Sequence, residues 1–79
     1  MQKLKLDMDI DKNIRLQRKR CKLTQEDVTA KLQAMGINIT RSIYSKIETN
    51  TYNIRISELV ALKHIFKMNS FDPFFTDLD

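Results

Sequence analysis

The chain has 79 residues, of which 42% are apolar and 30% charged, and its formal net charge is +4. This length allows one small domain with one modest core, and no apolar run approaches the roughly 20 residues of a membrane span. Cys21 is the only cysteine and His64 the only histidine, which excludes an internal disulfide and the usual ligand cluster of a metal site. No secretory leader is visible, so we expect a cytoplasmic protein without a membrane segment, metal or cofactor.

The first eight residues alternate between apolar and charged side chains. Leu4, Leu6 and Met8 are separated by Lys5 and Asp7, which is the period-two pattern of a strand. A strand with no partner in its own chain is either a frayed arm or a strand that pairs with a second copy. Both interpretations stay open for residues 1–8.

A first helix is predicted from about residue 9 to residue 21. Ile10, Ile14, Arg18 and Cys21 recur at helical spacing and therefore share one face. Cys21 is expected to be a small packing residue rather than a reactive thiol, because no second catalytic group is apparent.

Residues 24–48 are predicted to form two short helices joined by a tight connection. Thr24 can cap the first helix with Asp27 three residues later, and Thr40 can cap the second. Gly36 can adopt the left-handed conformation that ends a helix. Val28, Leu32 and Met35 are predicted to share the core face of the first helix, and Tyr44 and Ile47 that of the second.

The opposite face of the second helix carries only hydrogen-bond donors and cations: Arg41, Ser42, Ser45 and Lys46. Such a face suits a negatively charged groove that accepts hydrogen bonds. Charge is concentrated on the same segment, because residues 12–46 hold nine lysines and arginines against two acids. This placement favours a phosphate-binding surface over a merely solvated one.

A polar loop, residues 51–55, precedes a predicted helix from about residue 56 to residue 67. Tyr52, Asn53 and Arg55 in the loop could touch a phosphate backbone. The helix has a wide apolar stripe: Ile56, Leu59, Val60, Leu62, Ile65 and Phe66. His64, between two lysines near its end, is expected to be a surface residue.

The last ten residues are rich in aromatic side chains, with three phenylalanines. Asp72 and Pro73 resemble an N-cap and first helical position. The apolar residues around them recur at helical spacing: Phe71, Phe74, Phe75 and Leu78. They predict either a fifth helix that completes the core or a dimer contact.

Two segments resemble the Cro/C1-type (Xre-like) helix-turn-helix family of bacterial and phage repressors. They are Leu23-Thr24-Gln25-Glu26 and residues 41–48, RSIYSKIE, and the resemblance runs from about residue 10 to residue 75. It implies an all-α, lambda-repressor-like domain of four to five helices over residues 9–79, with the helix-turn-helix at about 24–49. It further implies a homodimeric repressor that binds double-stranded DNA sequence-specifically through paired half-sites, without catalysis.

The resemblance also assigns individual residues. It implies an ion pair between Arg18 and Glu48 that joins the first and third helices. The family usually has leucine where Gln17 stands, and Leu16 could compensate; it often has glycine where Asn50 stands. The first motif helix is longer than usual, because residues 33–36 extend it.

For DNA, the third helix is expected to lie in the major groove, with Arg41, Ser42 and Lys46 reading base edges. Six residues are predicted to contact phosphates: Thr24, Gln25, Thr40, Ser45, Tyr52 and Arg55. One alternative is a protein-interaction module of the same fold, such as an antitoxin-like partner, which an exposed tail around Phe74 and Phe75 would favour. An enzyme is the poorest candidate, because no nucleophile, base and orienting group have supporting spacing.

Overall fold

A computed structural model describes residues 10–49 and 51–75. Over these residues the chain forms four α-helices and one 3-10 helix, with no strand: α1 (Ile10–Arg20), α2 (Gln25–Ala34), α3 (Arg41–Ile47), α4 (Ile56–Ile65) and the 3-10 helix (Asp72–Phe75). The all-α prediction is confirmed. The predicted arm, Asn50 and Leu78 lie outside the described residues.

One core lies between the helices, with α2 packed against both α3 and α4, and α1 packed against the 3-10 helix. Its largest fully buried side chains include Tyr44, Phe74, Ile14, Leu32 and Leu62. The residues from α1 to α4 and the 3-10 helix thus contribute to the same cluster. This shared core fixes α3 relative to the rest of the chain.

The N-terminal caps of α2 and α3 agree with the sequence. Thr24 Oγ1 accepts from the backbone N–H of Asp27 at 3.0 Å, and the Asp27 carboxylate accepts from the backbone N–H of Thr24 at 2.9 Å. Thr40 Oγ1 accepts from the backbone N–H of Ile43 at 3.2 Å. Each cap satisfies N–H groups that a helix start leaves without partners.

Within the described residues, three helices are followed after one further residue by one with a left-handed backbone: Lys22 after α1 (φ 59°), Gly36 after α2 (φ 88°) and Lys67 after α4 (φ 56°). In each case the next residue's N–H bonds back to the helix, as Leu23 does to the Arg18 carbonyl. Glycine adopts this conformation readily, whereas a lysine there is strained by its Cβ. α4 ends at Ile65, earlier than the predicted Lys67.

The first helix corrects the expectation for its core face. Gln17 is only 5% exposed, whereas Leu16 is an exposed large hydrophobic residue. Leu16 therefore does not compensate for the missing leucine, because it points away from the core and Gln17 itself occupies the core position. The amide end of Gln17 accepts a hydrogen bond from Arg20 Nη1 at 2.6 Å.

The core faces of α2 and α4 are narrower than predicted. α2 does extend past Leu32 to Ala34, but Met35 lies beyond its end and is exposed, while Ile39 in the following turn is buried. On α4, Ile56 is 77% exposed and Val60 is also exposed. The described neighbours of α4 cover one side of the helix, so only part of its wide stripe is buried.

The aromatic tail is partly a core element. Phe74 is fully buried and packs edge-to-face against Phe66, with ring centroids 6.4 Å apart. Asn13 Nδ2 donates to the Phe74 carbonyl at 2.8 Å, which fastens the tail to α1. Within the described residues the predicted fifth α-helix is a short 3-10 helix. Cys21 is half-buried and its thiol lies 3.4 Å from the Phe66 carbonyl, consistent with a packing role.

Candidate nucleic-acid interface

The turn between α2 and α3 determines how α3 is presented. Gln33 Nε2 donates to the Ile39 carbonyl at 2.8 Å, across the left-handed Gly36. Ile39 is buried just before the Thr40 cap, and Tyr44 and Ile47 face the core one turn later. The inner face of α3 is therefore held at both ends, and its outer face is left in solvent.

The outer face of α3 carries the three predicted base-reading residues. Arg41, Ser42 and Lys46 are all exposed, and Ser42 lies one turn before Lys46. Ser45 and Ile43 are more recessed, being half-buried at the edges of this face. Among residues 10–49 and 51–75, the side chains of Arg41, Ser42 and Lys46 have no hydrogen-bond partner and no carboxylate partner. Their donors are thus available to a ligand.

The inner side of α3 ends in a buried polar network, and the ion pair that the resemblance implies is present there. Arg18 Nε donates to Glu48 Oε2 at 2.7 Å, and Arg18 Nη2 donates to Oε1 at 3.0 Å. The pair is bidentate, and Arg18 and Glu48 are 9% and 4% exposed. Arg18 Nη1 also donates to the Leu23 carbonyl, so the guanidinium joins α1, the segment before α2, and α3.

Two further donors complete the network around Glu48. The Tyr44 hydroxyl donates to Glu48 Oε2, and Gln25 Nε2 donates to Oε1 at 3.1 Å. Sequence reasoning did not predict either contact, because both depend on how α2 and α3 pack. Gln25, predicted to bind phosphate, therefore already uses one amide hydrogen internally at the start of α2.

The network shifts the pKa values of its members. Burial by itself would raise the pKa of Glu48, but the hydrogen bonds from Arg18, Tyr44 and Gln25 outweigh it and the pKa is lowered. The hydrogen bond to Glu48 raises the pKa of Arg18. Burial, together with the hydrogen bond to Glu48, raises the pKa of Tyr44. Glu48 is therefore a carboxylate and Tyr44 a neutral donor at neutral pH.

The start of α2 is a second donor surface. Thr24 is exposed, and with Asp27 it satisfies part of the first turn, which leaves the backbone N–H groups of Gln25 and Glu26 at the helix terminus. The backbone hydrogen bond from Thr24 lowers the pKa of Asp27, so this carboxylate is charged close to the terminus. An anion that approaches α2 meets both the helix dipole and this carboxylate.

The loop before α4 is fastened to that helix by Glu58. The Tyr52 hydroxyl donates to Glu58 Oε2 at 3.0 Å, and the Arg55 backbone N–H donates to Glu58 Oε1 at 2.8 Å. Burial and this hydrogen bond raise the pKa of Tyr52. The Tyr52 hydroxyl proton is therefore used within the chain, whereas the Arg55 side chain is exposed. A phosphate contact by Tyr52 stays a prediction, and it would require the hydroxyl to leave Glu58. Glu58 was missed, although a glutamate three residues after a helix cap is a recognisable signal.

Comparison with known protein families gives a match over most of the chain. The family described as helix-turn-helix, of the Cro/C1 (Xre-like) type, matches residues 14–72. No curated protein and no solved structure matches the chain. Over the described ranges, no helix has the length and apolar character to cross a membrane, and no cluster of candidate metal ligands occurs.

Proposed function

The chain belongs to the Cro/C1-type helix-turn-helix family, and from this premise we propose that it is a repressor that binds specific sequences in double-stranded DNA. The family match indicates a DNA-binding transcription regulator, and this family is typically non-enzymatic. Repression and sequence specificity are the proposed refinements. We propose repression because a small domain bound at a promoter can block access to the DNA by binding alone.

The outward face of α3 is the observation that carries the proposal. Arg41, Ser42 and Lys46 are exposed donors without internal partners over the described residues, on a helix whose other side is fixed in the core. A helix of this kind fits the major groove, where bases present acceptors to side chains. Arg41 is the best candidate for a bidentate contact with guanine, because O6 and N7 match its planar fork.

Phosphate contacts would flank the reading helix. We assign them to exposed or half-buried polar side chains at the start of α2, the start of α3 and the loop before α4: Thr24, Gln25, Thr40, Ser45 and Arg55. Contacts of this kind fix register on the duplex and carry no base information. The exposed cations of α1, including Lys12, Arg15 and Lys19, add long-range attraction.

A homodimer in the cytoplasm would place two reading helices about 34 Å apart, one turn of the duplex. The predicted contacts are residues 1–8 and the aromatic tail. Phe74 is fully buried within its own chain and is therefore unavailable to a partner, whereas Phe71 is exposed. Sedimentation on a full operator tests the dimer, and deletion of residues 1–8 should weaken it if the arm takes part. A monomer both free and on the operator would contradict the assembly.

An exposed tail around Phe74 and Phe75 would favour the protein-interaction alternative. The burial of Phe74 against Phe66 and its carbonyl's bond to Asn13 weigh against that alternative. The burial of Phe74 supports a DNA-binding role over one in which the tail recruits another protein.

Selection of bound sequences from random duplex DNA tests the proposal. The wild-type chain should enrich one palindromic consensus. The double variant Arg41→Ala/Lys46→Ala should enrich none, and Lys12→Ala, which removes a cation from the opposite side of α1 from its core face, should retain the wild-type consensus. Uniform enrichment by the wild type would show binding without sequence specificity and would contradict the proposal.

A further inference from the structure

A concave polar surface lies between the end of α1 and the segment that follows α4, and the residues assigned to DNA above are not part of it. This cleft encloses about 240 Å³ and is lined by Arg20, Lys67, Met68, Asn69, Ser70 and Pro73. Of the described residues that line the cleft, two are cations and none is an acid. Over residues 10–49 and 51–75, neither Arg20 nor Lys67 is paired with a carboxylate.

Arg20 is held in place by a buried amide. Arg20 Nη1 donates to Gln17 Oε1 at 2.6 Å. Gln17 is buried at a core position, where an apolar side chain would pack without the need for a hydrogen-bond partner. A buried amide without a partner is destabilising, so Gln17 depends on Arg20 and in turn restricts the guanidinium. The guanidinium retains donors beyond the one given to Gln17.

Lys67 has a backbone conformation that glycine would adopt with less strain. Its left-handed backbone (φ 56°) is the conformation that Gly36 adopts at the corresponding end of α2 (φ 88°). Strained non-glycine residues concentrate at functional sites, and here the strained residue lines a cleft with a second cation. Ser70 Oγ accepts from the Asp72 backbone N–H at 3.2 Å, which leaves its hydroxyl hydrogen as a further donor.

We propose that this cleft is an oxyanion site that binds a phosphoryl group through Arg20, Lys67 and Ser70. An arginine fork, an ammonium and a hydroxyl match the three acceptor oxygens of a phosphate. A bound anion would also relieve the repulsion between two cations that share the cleft. The volume is below the usual range for drug-sized ligands and fits a single anionic group. That group is either a free phosphorylated molecule or a phosphate of the DNA backbone.

Titration of the full chain with inorganic phosphate, at constant ionic strength balanced with chloride, tests the site. Amide chemical shifts of residues 67–70 should move saturably, and the melting temperature should rise with phosphate more than with chloride. Arg20→Gln should weaken phosphate binding by about tenfold, the effect of one charged hydrogen bond.

Lys67→Gly and Lys22→Gly form a matched pair, because each removes one positive charge from a left-handed position after a helix. Both variants should melt a few degrees higher in phosphate-free buffer, since glycine relieves the strain. Only Lys67→Gly should lose the phosphate response, because Lys22 does not line the cleft. Gln17→Leu should also weaken phosphate binding, by releasing Arg20, while the fold is retained.

The two sources of the phosphoryl group are separated by binding to DNA. If the group is a backbone phosphate, Lys67→Gly should weaken operator and random duplexes by the same factor. If it is a free molecule, DNA affinity should be unchanged while the response to inorganic phosphate is lost. The proposal is overturned if Arg20→Gln and Lys67→Gly both bind phosphate within about twofold of the wild type, or if phosphate acts no differently from chloride.

Discussion

Both sides of α3 carry polar side chains, but their surroundings are opposite. On the inner side, Tyr44 and the capping residue Glu48 are buried. The Tyr44 hydroxyl donates to Glu48, and Glu48 pairs with Arg18. On the outer side, Arg41 and Lys46 are exposed and, over the described residues, have no side-chain partner. One short helix therefore carries an inner set of polar residues, Tyr44 and Glu48, whose side chains are hydrogen-bonded inside the fold. It also carries an outer set, Arg41 and Lys46, whose side-chain donors are unused within the part of the chain that the structure describes.

The difference shows that buried polar residues contribute to the stability of the fold, whereas exposed ones remain available to bind a ligand. A buried charge is tolerated only when its hydrogen-bonding capacity is filled, so the inner set is fixed in one geometry and is lost to ligands. An exposed donor exchanges water for a ligand at little cost to the fold. Variants on the inner side should change folding, and variants on the outer side should change binding.

The largest effect is expected from Glu48→Ala. Removal of the carboxylate strands the Arg18 guanidinium and leaves the Tyr44 hydroxyl without its acceptor. Loss of one partner of a buried pair typically costs about 3–5 kcal/mol, a large share of the stability of a small domain. Urea unfolding followed by circular dichroism measures it, with Glu26→Ala, an exposed glutamate, as the control.

A double variant separates the ion pair from simple loss of packing. Arg18→Met with Glu48→Leu removes both charges and should recover part of the stability lost in Glu48→Ala. A melting temperature for Glu48→Ala close to that of the wild type would contradict a stabilising role for the inner network.

Protonation of Glu48 should reproduce part of this effect without a mutation. The folded-state pKa of Glu48 is lower than its value in the unfolded chain, about 4.3. Its stabilisation is therefore complete above that unfolded pKa and is lost as pH falls through the lower folded pKa. The free energy of unfolding should decline below about pH 4.3. Glu48→Gln should be less stable at neutral pH and decline less steeply, because its amide does not titrate.

The comparison is between two curves of unfolding free energy against pH, from neutral to pH 3. Asp27 also has a lowered pKa, but it is present in both proteins and cancels in the difference. Parallel curves for the wild type and Glu48→Gln would show that Glu48 does not contribute to acid sensitivity.

The outer side of α3 should behave in the opposite way. Arg41→Ala should leave the unfolding free energy almost unchanged, because the side chain is exposed and unbonded within the described structure. It should cost about 1–3 kcal/mol of binding on the preferred operator and relax one base position. Lys46→Ala should behave similarly at a neighbouring position. Competition against single-base operator changes measures both.

Arg55→Ala is the matched control for these variants, since it removes an exposed arginine assigned to phosphate. It should weaken all duplexes alike. Gln25→Ala was expected to do the same, but Gln25 also donates to Glu48, so that variant should lose stability as well. If Arg41→Ala and Lys46→Ala lose affinity uniformly, without altered base preference, the assignment of the reading residues is wrong.

The local signals in the sequence predicted the helix-turn-helix well. Thr24 with Asp27, Thr40 and Gly36 define where α2 and α3 begin and where α2 ends, because caps act over three or four residues. The burial of Tyr44 and Ile47 also followed from helical spacing. The Arg18–Glu48 contact was implied by family resemblance, since no local pattern joins residues so far apart.

Sequence reasoning failed where neighbours decide the outcome. Gln17 is buried because Arg20 satisfies its amide, and Ile56 is exposed because the described chain does not cover that side of α4. Tyr52 donates to Glu58, a contact that the loop geometry creates. Periodicity gives the width of an apolar stripe but does not show how much of it other elements cover. The base-reading assignment stays a prediction.

Thr40 has the smallest expected effect and tests whether the two sides of α3 are separable. Its Oγ1 accepts from the Ile43 backbone N–H as a cap, while its hydroxyl hydrogen remains a donor at the exposed start of the reading helix. Thr40→Ala should cost about 1 kcal/mol of stability through the cap and also weaken all DNA sites alike. Thr40→Ser keeps both functions of the hydroxyl and should retain stability and binding. Urea unfolding and DNA titration of the two variants decide the role of the hydroxyl. Loss of stability with unchanged DNA affinity would place Thr40 wholly with the inner set. The reverse would place it with the outer set, and loss of both would show one side chain serving the fold and the interface together.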